Sequence, residues 1–499
     1  MQLFSNECEV LRMHTEVRHK KAGMPGFGIT RIVFVIASMY LCFGREEPAC
    51  AQTFGPATSF TVFDSSLVNG TSAPNDHANE ATSNYWLPAV EIIGLNLGIG
   101  AVNTYIRNQE WARISWKTMA ENFKTGFVWD EDGFLINQLS HPYHGALFFN
   151  AARSNGHGFW ASIPFALFGS LMWEYLMENE APSYNDIVNT PITGSIVGEI
   201  LWRMSDLIID QSANGFERVA REFSSTLLNP LRGFNRMING EMWTHGTSTV
   251  GQSTDVDLDL SVGALNVFFD NNFEKNMIFL MMRANLSYGD QFNVNANKKP
   301  FDFFSLSVEL NAGPGEDIFS IFASGVLWDD PVRLFSSSRS MFGIYQDFDL
   351  INNRLFKLYA TTVTGQLVYE TALSPNVDLH SILGISAMFM GATNSEYSSE
   401  YDMDHKVGPG ASGRIGFNFS VKNTLDLYTY YKRYWIHTLS GEASDQFVGL
   451  LNAGVSVQHS PALKFAFEAI LYERYGRYTH FPNTTSYNTA FRLFTTYRL

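Results

Sequence analysis

The chain ends in AFRLFTTYRL at residues 490–499, a stretch in which two kinds of side chain alternate. Because alternate residues of a β-strand point to opposite faces, this stretch would present one apolar face and one face with two arginines. Such a strand suits lipid on one side and a polar interior on the other. The first face comprises Phe491, Leu493, Thr495, Tyr497 and Leu499, and the second comprises Arg492, Phe494, Thr496 and Arg498.

The same period of two begins at DVDLDLSV, residues 255–262, where three aspartates interleave with valine and leucine. A slip of one residue in the pairing of this strand would move the carboxylates to the apolar face. The register of this strand is therefore strongly specified.

About twelve segments of this kind fill residues 255–499, and an even number lets one chain close a barrel that leaves no unpaired edge in lipid. We predict an antiparallel transmembrane β-barrel here, and a soluble β-sandwich or lipocalin-like barrel is the alternative. The segments start near residues 255, 275, 301, 318, 338, 354, 377, 411, 423, 447, 462 and 487.

The links between these segments alternate in length near the C-terminus. Long links at 392–410 and 437–446 would face outwards, and the tight turn at 422–423 would face the periplasm. This pattern predicts both termini in the periplasm and outer-membrane lipid around the wall. By resemblance to other outer-membrane proteins, Tyr497 and Leu499 would form the C-terminal signal that barrel-assembly machinery reads.

The N-terminal region predicts export to the cell outer membrane. In residues 1–51 a basic stretch precedes an apolar run at 32–43, and residues 49–51 form an A-x-A cleavage site, which indicates a leader and signal peptide. Residues 52–82 and 244–254 are rich in small polar side chains and are predicted to be linkers. All three cysteines precede the cut, so we expect no thiol chemistry after it.

Composition argues against nucleic acid as a partner, because the formal net charge is −15 and nucleic-acid binding requires a basic surface. Aromatic residues make up 14% and charged residues 17% of the chain. This balance predicts more apolar surface than the core of a soluble protein requires. The chain carries no G-x-S-x-G, P-loop or H-E-x-x-H motif. The sequence therefore contains no motif that points to one of these enzyme classes.

Residues 83–243 change to helical periodicity, which predicts a small all-α periplasmic domain that plugs the barrel or docks at its mouth. The fold class is therefore α + β with two domains. Residues 159–173 hold no charge, so their helix would be buried all round or lie against lipid. The predicted helices are 86–107, 112–124, 142–154, 158–179, 184–209 and 215–228.

Five motifs in this helical region follow one another in a fixed succession. They are HPYHG at 141–145, NAARSNG at 150–156, GSLMWEYLMENE at 169–180, PSYNDIVNTPITG at 182–194 and GEILWRMSD at 198–206. Over roughly residues 115–235, a span set by ordinary domain lengths, the region resembles the uncharacterised bacterial domain of unknown function 3943. The resemblance implies a helical domain ahead of an outer-membrane barrel, and it implies no activity.

Two histidines in the first motif are candidates for chemistry. Pro142 suits the first position of a helix, which places His141 and His144 in the opening turn. The helix dipole there disfavours the imidazolium, so both rings would stay neutral. Neutral histidines can bind a metal or move a proton. Alternatively, the two rings cap the helix and hydrogen-bond to loop carbonyls. Both interpretations stay open, and no particular metal or cofactor is indicated.

Two acidic residues follow the uncharged stretch. Glu174 and Glu178 share a helix face at i and i+4, and carboxylates in an apolar setting need compensation because buried charge is costly. Arg153 or Arg203, a shared proton or a cation would each supply it. The alternative is that Glu178 points to water past the end of the helix.

The remaining motif residues favour structural roles. Asp186 lies three residues after a serine in an S-x-x-D capping box. Glu199 and Arg203 form an i, i+4 ion pair. Gly194 and Gly198 form a G-x-x-x-G pattern that lets two helices approach closely.

These groups support two classes of function. We predict a non-enzymatic outer-membrane protein with a channel, transport or envelope-structural role, and the alternative is a membrane-associated hydrolase or transferase acting on envelope lipid or glycan. In the first class a polar network holds the helices through Arg153, Asp186, Glu199 and Arg203. In the second class the catalytic candidates are His141, His144, Glu174 and Glu178.

Overall fold

The structure of the protein is a computed structural model. It describes residues 84–129, 132–246, 254–272, 274–294, 298–313, 318–335, 338–353, 355, 357–394, 396–397, 405–422 and 424–499. The predicted leader and signal peptide at 1–51 and the linker at 52–82 lie outside the described residues, as does most of the linker at 244–254.

Seven α-helices precede the strands in the described part of the chain. They are α1 (Trp86–Ala101), α2 (Trp116–Thr125), α3 (His141–Ser154), α4 (Phe159–Leu176), α5 (Tyr184–Ile208), α6 (Gly215–Leu228) and α7 (Pro230–Ile238). The first six match the helices predicted from periodicity. Helix α7 was not predicted, although Pro230 stands in its first turn and the Asn229 side chain accepts a hydrogen bond from the Arg232 backbone N–H at 3.1 Å.

Twelve antiparallel strands then close a barrel in which each strand pairs with its neighbours in sequence and β1 pairs with β12. This confirms the predicted fold class and strand number. The strands are β1 (Val256–Phe268), β2 (Asn276–Tyr288), β3 (Phe304–Ala312), β4 (Ile318–Pro331), β5 (Ser338–Asn352), β6 (Lys357–Ser374), β7 (Val377–Asn394), β8 (His405–Val421), β9 (Leu425–His437), β10 (Ser444–Ser460), β11 (Leu463–Tyr478) and β12 (Thr484–Arg498).

Ion pairs across the lumen identify the inner face of the wall. Arg283 of β2 lies 3.1 Å from Glu468 of β11, and Arg492 of β12 lies 2.8 Å from Glu309 of β3. These strands are not neighbours, so the side chains meet through the interior. Residues of the opposite parity face outwards, as the predicted alternation of β12 requires, and Leu493 is accordingly 66% exposed. The closed wall with its apolar outer face is that of an outer-membrane β-barrel.

The long helices pack into a bundle through close backbone contacts. Helices α3 and α5 approach at two glycines, where a methyl group added to Gly194 would lie 2.6 Å from the backbone carbonyl carbon of Gly145. Helix α1 contacts α4 through Asn96, whose side-chain amide donates to the Gly169 carbonyl at 3.1 Å. Gly194 therefore makes the close approach that the G-x-x-x-G pattern predicts.

The bundle packs against the outer surface of the barrel wall. Tyr359 of β6 hydrogen-bonds to Thr193 and Asn189 of α5, at 2.6 and 3.0 Å. Thr362 in the same strand faces the lumen, where it donates to Asp347 at 3.2 Å. Positions 359 and 362 differ in parity, so the Tyr359 side chain lies on the outer face.

Other contacts extend this interface along the wall. Gln346 of β5 donates to the Ile192 carbonyl at 3.0 Å, and Phe348 and Leu350, which share its parity, are fully buried against the bundle. The described helices therefore contact the outside of the wall, not the lumen. The predicted plug of the barrel is wrong in this respect, because the apolar and amide groups that receive α5 point away from the interior.

A substitution at Gly194 tests the close approach of α3 and α5. We expect Gly194→Ala to lower the free energy of unfolding of the bundle by about 1–3 kcal/mol, since the added methyl group overpacks the contact. Tryptophan fluorescence is a suitable signal, because only Trp328 and Trp435 of the ten tryptophans lie in strands. Gly98→Ala in α1 is the control, since nothing lies within 4 Å of its added methyl group. An equal loss in both variants would contradict the close contact.

Candidate functional site

Three side chains from three helices converge near one end of the bundle. His141 begins α3, Glu174 lies in the last turn of α4, and Asp186 lies in the first turn of α5. One nitrogen or oxygen atom of each lies within 4.8 Å of the others. Glu174 is 2% and Asp186 is 3% exposed. We call these three residues the histidine–carboxylate cluster.

Local backbone structure holds the two carboxylates in position. The Ser183 backbone N–H donates to Glu174 Oε2 at 2.7 Å, and the Ser183 hydroxyl accepts from the Asp186 backbone N–H at 3.2 Å. The second bond is the N-terminal cap that the S-x-x-D pattern predicts. The loop between α4 and α5 is therefore tied to both acids.

One oxygen of the cluster has no conventional partner. Asp186 Oδ1 is buried and makes no hydrogen bond among the described residues. His141 Nε2 lies 3.7 Å from it, which is beyond a normal N–H···O distance. A buried carboxylate oxygen in this state leaves room for an additional ligand or proton.

The other two catalytic candidates lie beside the cluster in different settings. His144 is one turn along α3, where its ring packs against Phe148 and Trp173, with centroids 4.3 and 4.7 Å away. Glu178 lies past the end of α4 and accepts a hydrogen bond from Trp173 Nε1. Burial, and then the nearby Asp186, raise the pKa of Glu178 well above its usual value. His144 is therefore not among the three converging side chains, and its ring lies in an aromatic setting beside them.

A second cluster joins α3, α5 and the barrel. Glu199 is fully buried and accepts hydrogen bonds from Arg153 at 2.8 and 3.1 Å and from Arg203 at 2.9 Å. Arg203 also donates to the Pro300 carbonyl at 2.8 Å and to Asp302 at 3.1 Å, in the loop between β2 and β3. We call these residues the Glu199 cluster. It is paired throughout, as a structural contact requires.

The two clusters lie at opposite ends of the bundle. His141 and Arg153 are twelve residues apart on α3, which corresponds to about 18 Å along a helix. Both arginines that the sequence offered as partners for Glu174 instead contact Glu199. The single polar network predicted from sequence is therefore two separate sites, because helix length carries the arginines away from the histidines.

The ion pairs that cross the lumen were not predicted from the sequence. Besides the pairs of β2, β3, β11 and β12, Arg414 of β8 contacts Asp347 of β5 at 3.2 Å, and Lys432 of β9 contacts Asp349 of β5. Alternation placed Arg414 on the inner face, but it could not show which acid lies across the barrel. The sequence feature that could have indicated these ion pairs is the presence of charged residues at inward positions of several strands.

A comparison with protein families finds a match in the helical region. The family described as "Domain of unknown function (DUF3943)" matches residues 126–231, which confirms the resemblance stated from the motifs. No curated protein matches the chain.

Among solved structures, the KdgM porin is 13% identical over 48% of this chain and 98% of its own, with a TM-score of 0.23. The NanC porin is 9% identical over 48% of this chain and 100% of its own, with a TM-score of 0.28. OmpT, an outer membrane protein of Vibrio cholerae, is 8% identical over 50% of this chain and 99% of its own, with a TM-score of 0.24. The strand pairing described above, and not these low scores, defines the barrel. The family model therefore covers part of the helical region, and the outer-membrane barrel of twelve strands follows it in the chain.

Proposed function

We propose that the protein is a non-enzymatic, envelope-structural component of the outer membrane, in which a sealed barrel anchors a helical bundle within the lipid layer. The observation that carries this proposal is the packing of α5 on the outward residues Gln346 and Tyr359. The outer face of such a wall normally meets lipid. A bundle attached there would share the membrane with the barrel instead of standing in the periplasm.

The free surface of the bundle supports a lipid environment. Helix α1 presents Leu87, Val90, Ile93 and Leu97 along one stripe, each between 38% and 59% exposed. Together with the π-helical turn that follows it, α1 gives a helix of 21 residues that is long and apolar enough to cross a membrane. An apolar surface of this extent is unfavourable in water and favourable in lipid.

The interior of the barrel favours an anchoring role and argues against a channel. Arg283, Glu309, Glu468 and Arg492 form one buried network across the lumen, and each is less than 9% exposed. Charge pairs that cross the lumen in this way stand in the path that ions would need to take. We expect reconstituted protein to give no stepwise conductance in planar bilayers, and stable open-channel steps would overturn this part of the proposal.

Spin labels test the position of the bundle in the membrane. The chain after residue 50 holds no native cysteine, so single cysteines can be introduced without background. In protein reconstituted in lipid, a nitroxide at Leu97→Cys should collide more often with oxygen than with a water-soluble nickel chelate, because oxygen concentrates in hydrocarbon. The matched control is Lys117→Cys in α2, whose native side chain is 84% exposed.

The two labels give opposite results only under the proposal. We expect the nickel chelate to dominate at residue 117 and oxygen to dominate at residue 97. Equal access of the nickel chelate to both labels would mean that the bundle stands in water, and the periplasmic position predicted from sequence would then be preferred. Heat-modifiable migration on gels provides the check that each variant contains a folded barrel.

The histidine–carboxylate cluster favours a second candidate function, a membrane-associated hydrolase or transferase acting on envelope lipid or glycan. The specific observation is the buried Asp186 Oδ1 beside His141, which makes no hydrogen bond among the described residues and calls for an explanation such as a catalytic role or a bound ion. Asp186 of the cluster lies one turn before Asn189, which bonds to Tyr359 near the start of β6. In the orientation predicted from loop lengths, this is the extracellular end of the barrel.

A further inference from the structure

We propose that His141, Glu174 and Asp186 bind one divalent transition-metal ion of the zinc class. The first support is convergence, since the three side chains come from the facing ends of three helices and their ligand atoms lie within 4.8 Å of one another. Ligands around a zinc ion stand about 3.4 Å apart when each bond is about 2.1 Å long. Small rotations of the side chains would close the remaining distance.

The unsatisfied oxygen of Asp186 is an independent second observation. Asp186 is 3% exposed, and its Oδ1 makes no hydrogen bond among the described residues. This oxygen faces His141 Nε2 at 3.7 Å, a separation that suits two ligands of one ion better than a direct hydrogen bond. A bound cation would therefore satisfy a polar atom that the protein leaves without a partner.

The charge of the site favours a divalent ion over an arginine. As metal ligands, two carboxylates and one imidazole contribute a charge of about −2, and a divalent cation cancels this charge where desolvation makes net charge costly. The arginines nearest in sequence do not serve this purpose, because Arg153 and Arg203 both contact Glu199 at the other end of the bundle. With the ion bound, the site would be neutral and suited to an apolar bundle.

The ligand types narrow the choice of ion. One imidazole nitrogen with two carboxylate oxygens suits Zn²⁺, Mn²⁺ or Fe²⁺, whereas Ca²⁺ and Mg²⁺ prefer oxygen ligands alone. The described region holds no cysteine, which disfavours copper(I). Three protein ligands would leave at least one coordination position free for water or another ligand.

Metal analysis of the full-length protein tests this proposal. Untagged protein, purified in detergent and stripped with a chelator, would be titrated with Zn²⁺ and separately with Co²⁺, whose visible absorption reports its coordination. We expect about one ion per chain, and the loss of a first ligand in His141→Gln or Asp186→Asn should weaken binding by at least about tenfold, the lower limit seen even for outer-shell partners.

A carboxylate elsewhere in the bundle provides the control. Glu91 of α1 accepts hydrogen bonds from Asn155 and Asn235, so Glu91→Gln removes a charge from the bundle without touching the cluster, and it should bind metal like the native protein. Heat-modifiable migration and tryptophan fluorescence show whether each variant is folded. Failure of the native protein to bind Zn²⁺ or Co²⁺, or equal binding by folded Asp186→Asn, would overturn the proposal. Either outcome would leave the spin-label result, and with it the proposed anchor, unaffected.

Discussion

Replacing Glu199 with alanine is expected to lower the free energy of unfolding of the helical bundle by about 3–5 kcal/mol, the usual cost of removing one partner from a buried ion pair. Glu199 is completely buried and accepts hydrogen bonds from both Arg153 and Arg203. Without it, two guanidinium groups would remain in a low-dielectric setting with fewer acceptors. Denaturant unfolding followed by tryptophan fluorescence measures the loss, because most tryptophans lie in the helical region.

An ion pair whose carboxylate is exposed is the control for this prediction. Glu217 and Arg221 form an i, i+4 pair at 3.1 Å in α6, and the Glu217 side chain is 43% exposed. We expect Glu217→Ala to cost less than about 1 kcal/mol, since solvent screens such pairs. Similar losses at Glu199 and Glu217 would show that burial of the Glu199 cluster contributes no more than a surface contact.

A double-mutant cycle tests the separation of the two clusters. Glu199→Gln and Arg203→Met should be non-additive by roughly 0.5–3 kcal/mol, because the two residues are in contact. Glu174→Gln and Arg203→Met should be additive, since Glu174 lies at the other end of the bundle. Coupling between Glu174 and Arg203 would restore the single network that the sequence suggested.

The barrel was predictable because each strand repeats a local rule. Inward and outward residues alternate, so the sequence of β12 already separates Arg492 from Leu493. The prediction failed locally at β8, which begins at His405 and not near residue 411. Pro409 and its neighbouring glycines hide the alternation there, and they lie at a bulge where the pairing with β7 shifts between Met388 and Gly391.

The docking of the bundle was not predictable from these patterns. Periodicity shows that Gln346 and Tyr359 point outwards, but it cannot show what covers them. A polar Gln346 on a face otherwise suited to lipid was the available signal, and its amide indeed bonds to the Ile192 carbonyl. The pairing of Arg153 with Glu199 was equally hidden, since 46 residues separate them.

The second large effect is expected inside the barrel, at Glu468. Its carboxylate accepts hydrogen bonds from Arg283 at 3.1 Å, from Arg492 at 2.9 Å and from the Tyr428 hydroxyl at 3.1 Å. Glu468→Ala would leave two buried arginines to share Glu309, which contacts both at 2.8 Å. We expect a loss of about 3–5 kcal/mol in barrel stability, because an unpaired buried charge remains.

The same strand supplies the control that separates burial from charge. Glu473 lies five residues along β11 with opposite parity, and it pairs with Arg433 at 3.6 Å where the two side chains are 26% and 50% exposed. Glu473→Ala should change barrel stability less than Glu468→Ala does, because the long side chain of the half-exposed Arg433 can reach the membrane–water interface once its partner is removed. The temperature at which the folded band converts on a gel gives the comparison, and it should fall clearly for Glu468→Ala alone. If Glu468→Ala converts at the native temperature, the lumen network does not stabilise the barrel, and a solvated interior through which ions pass becomes the better description.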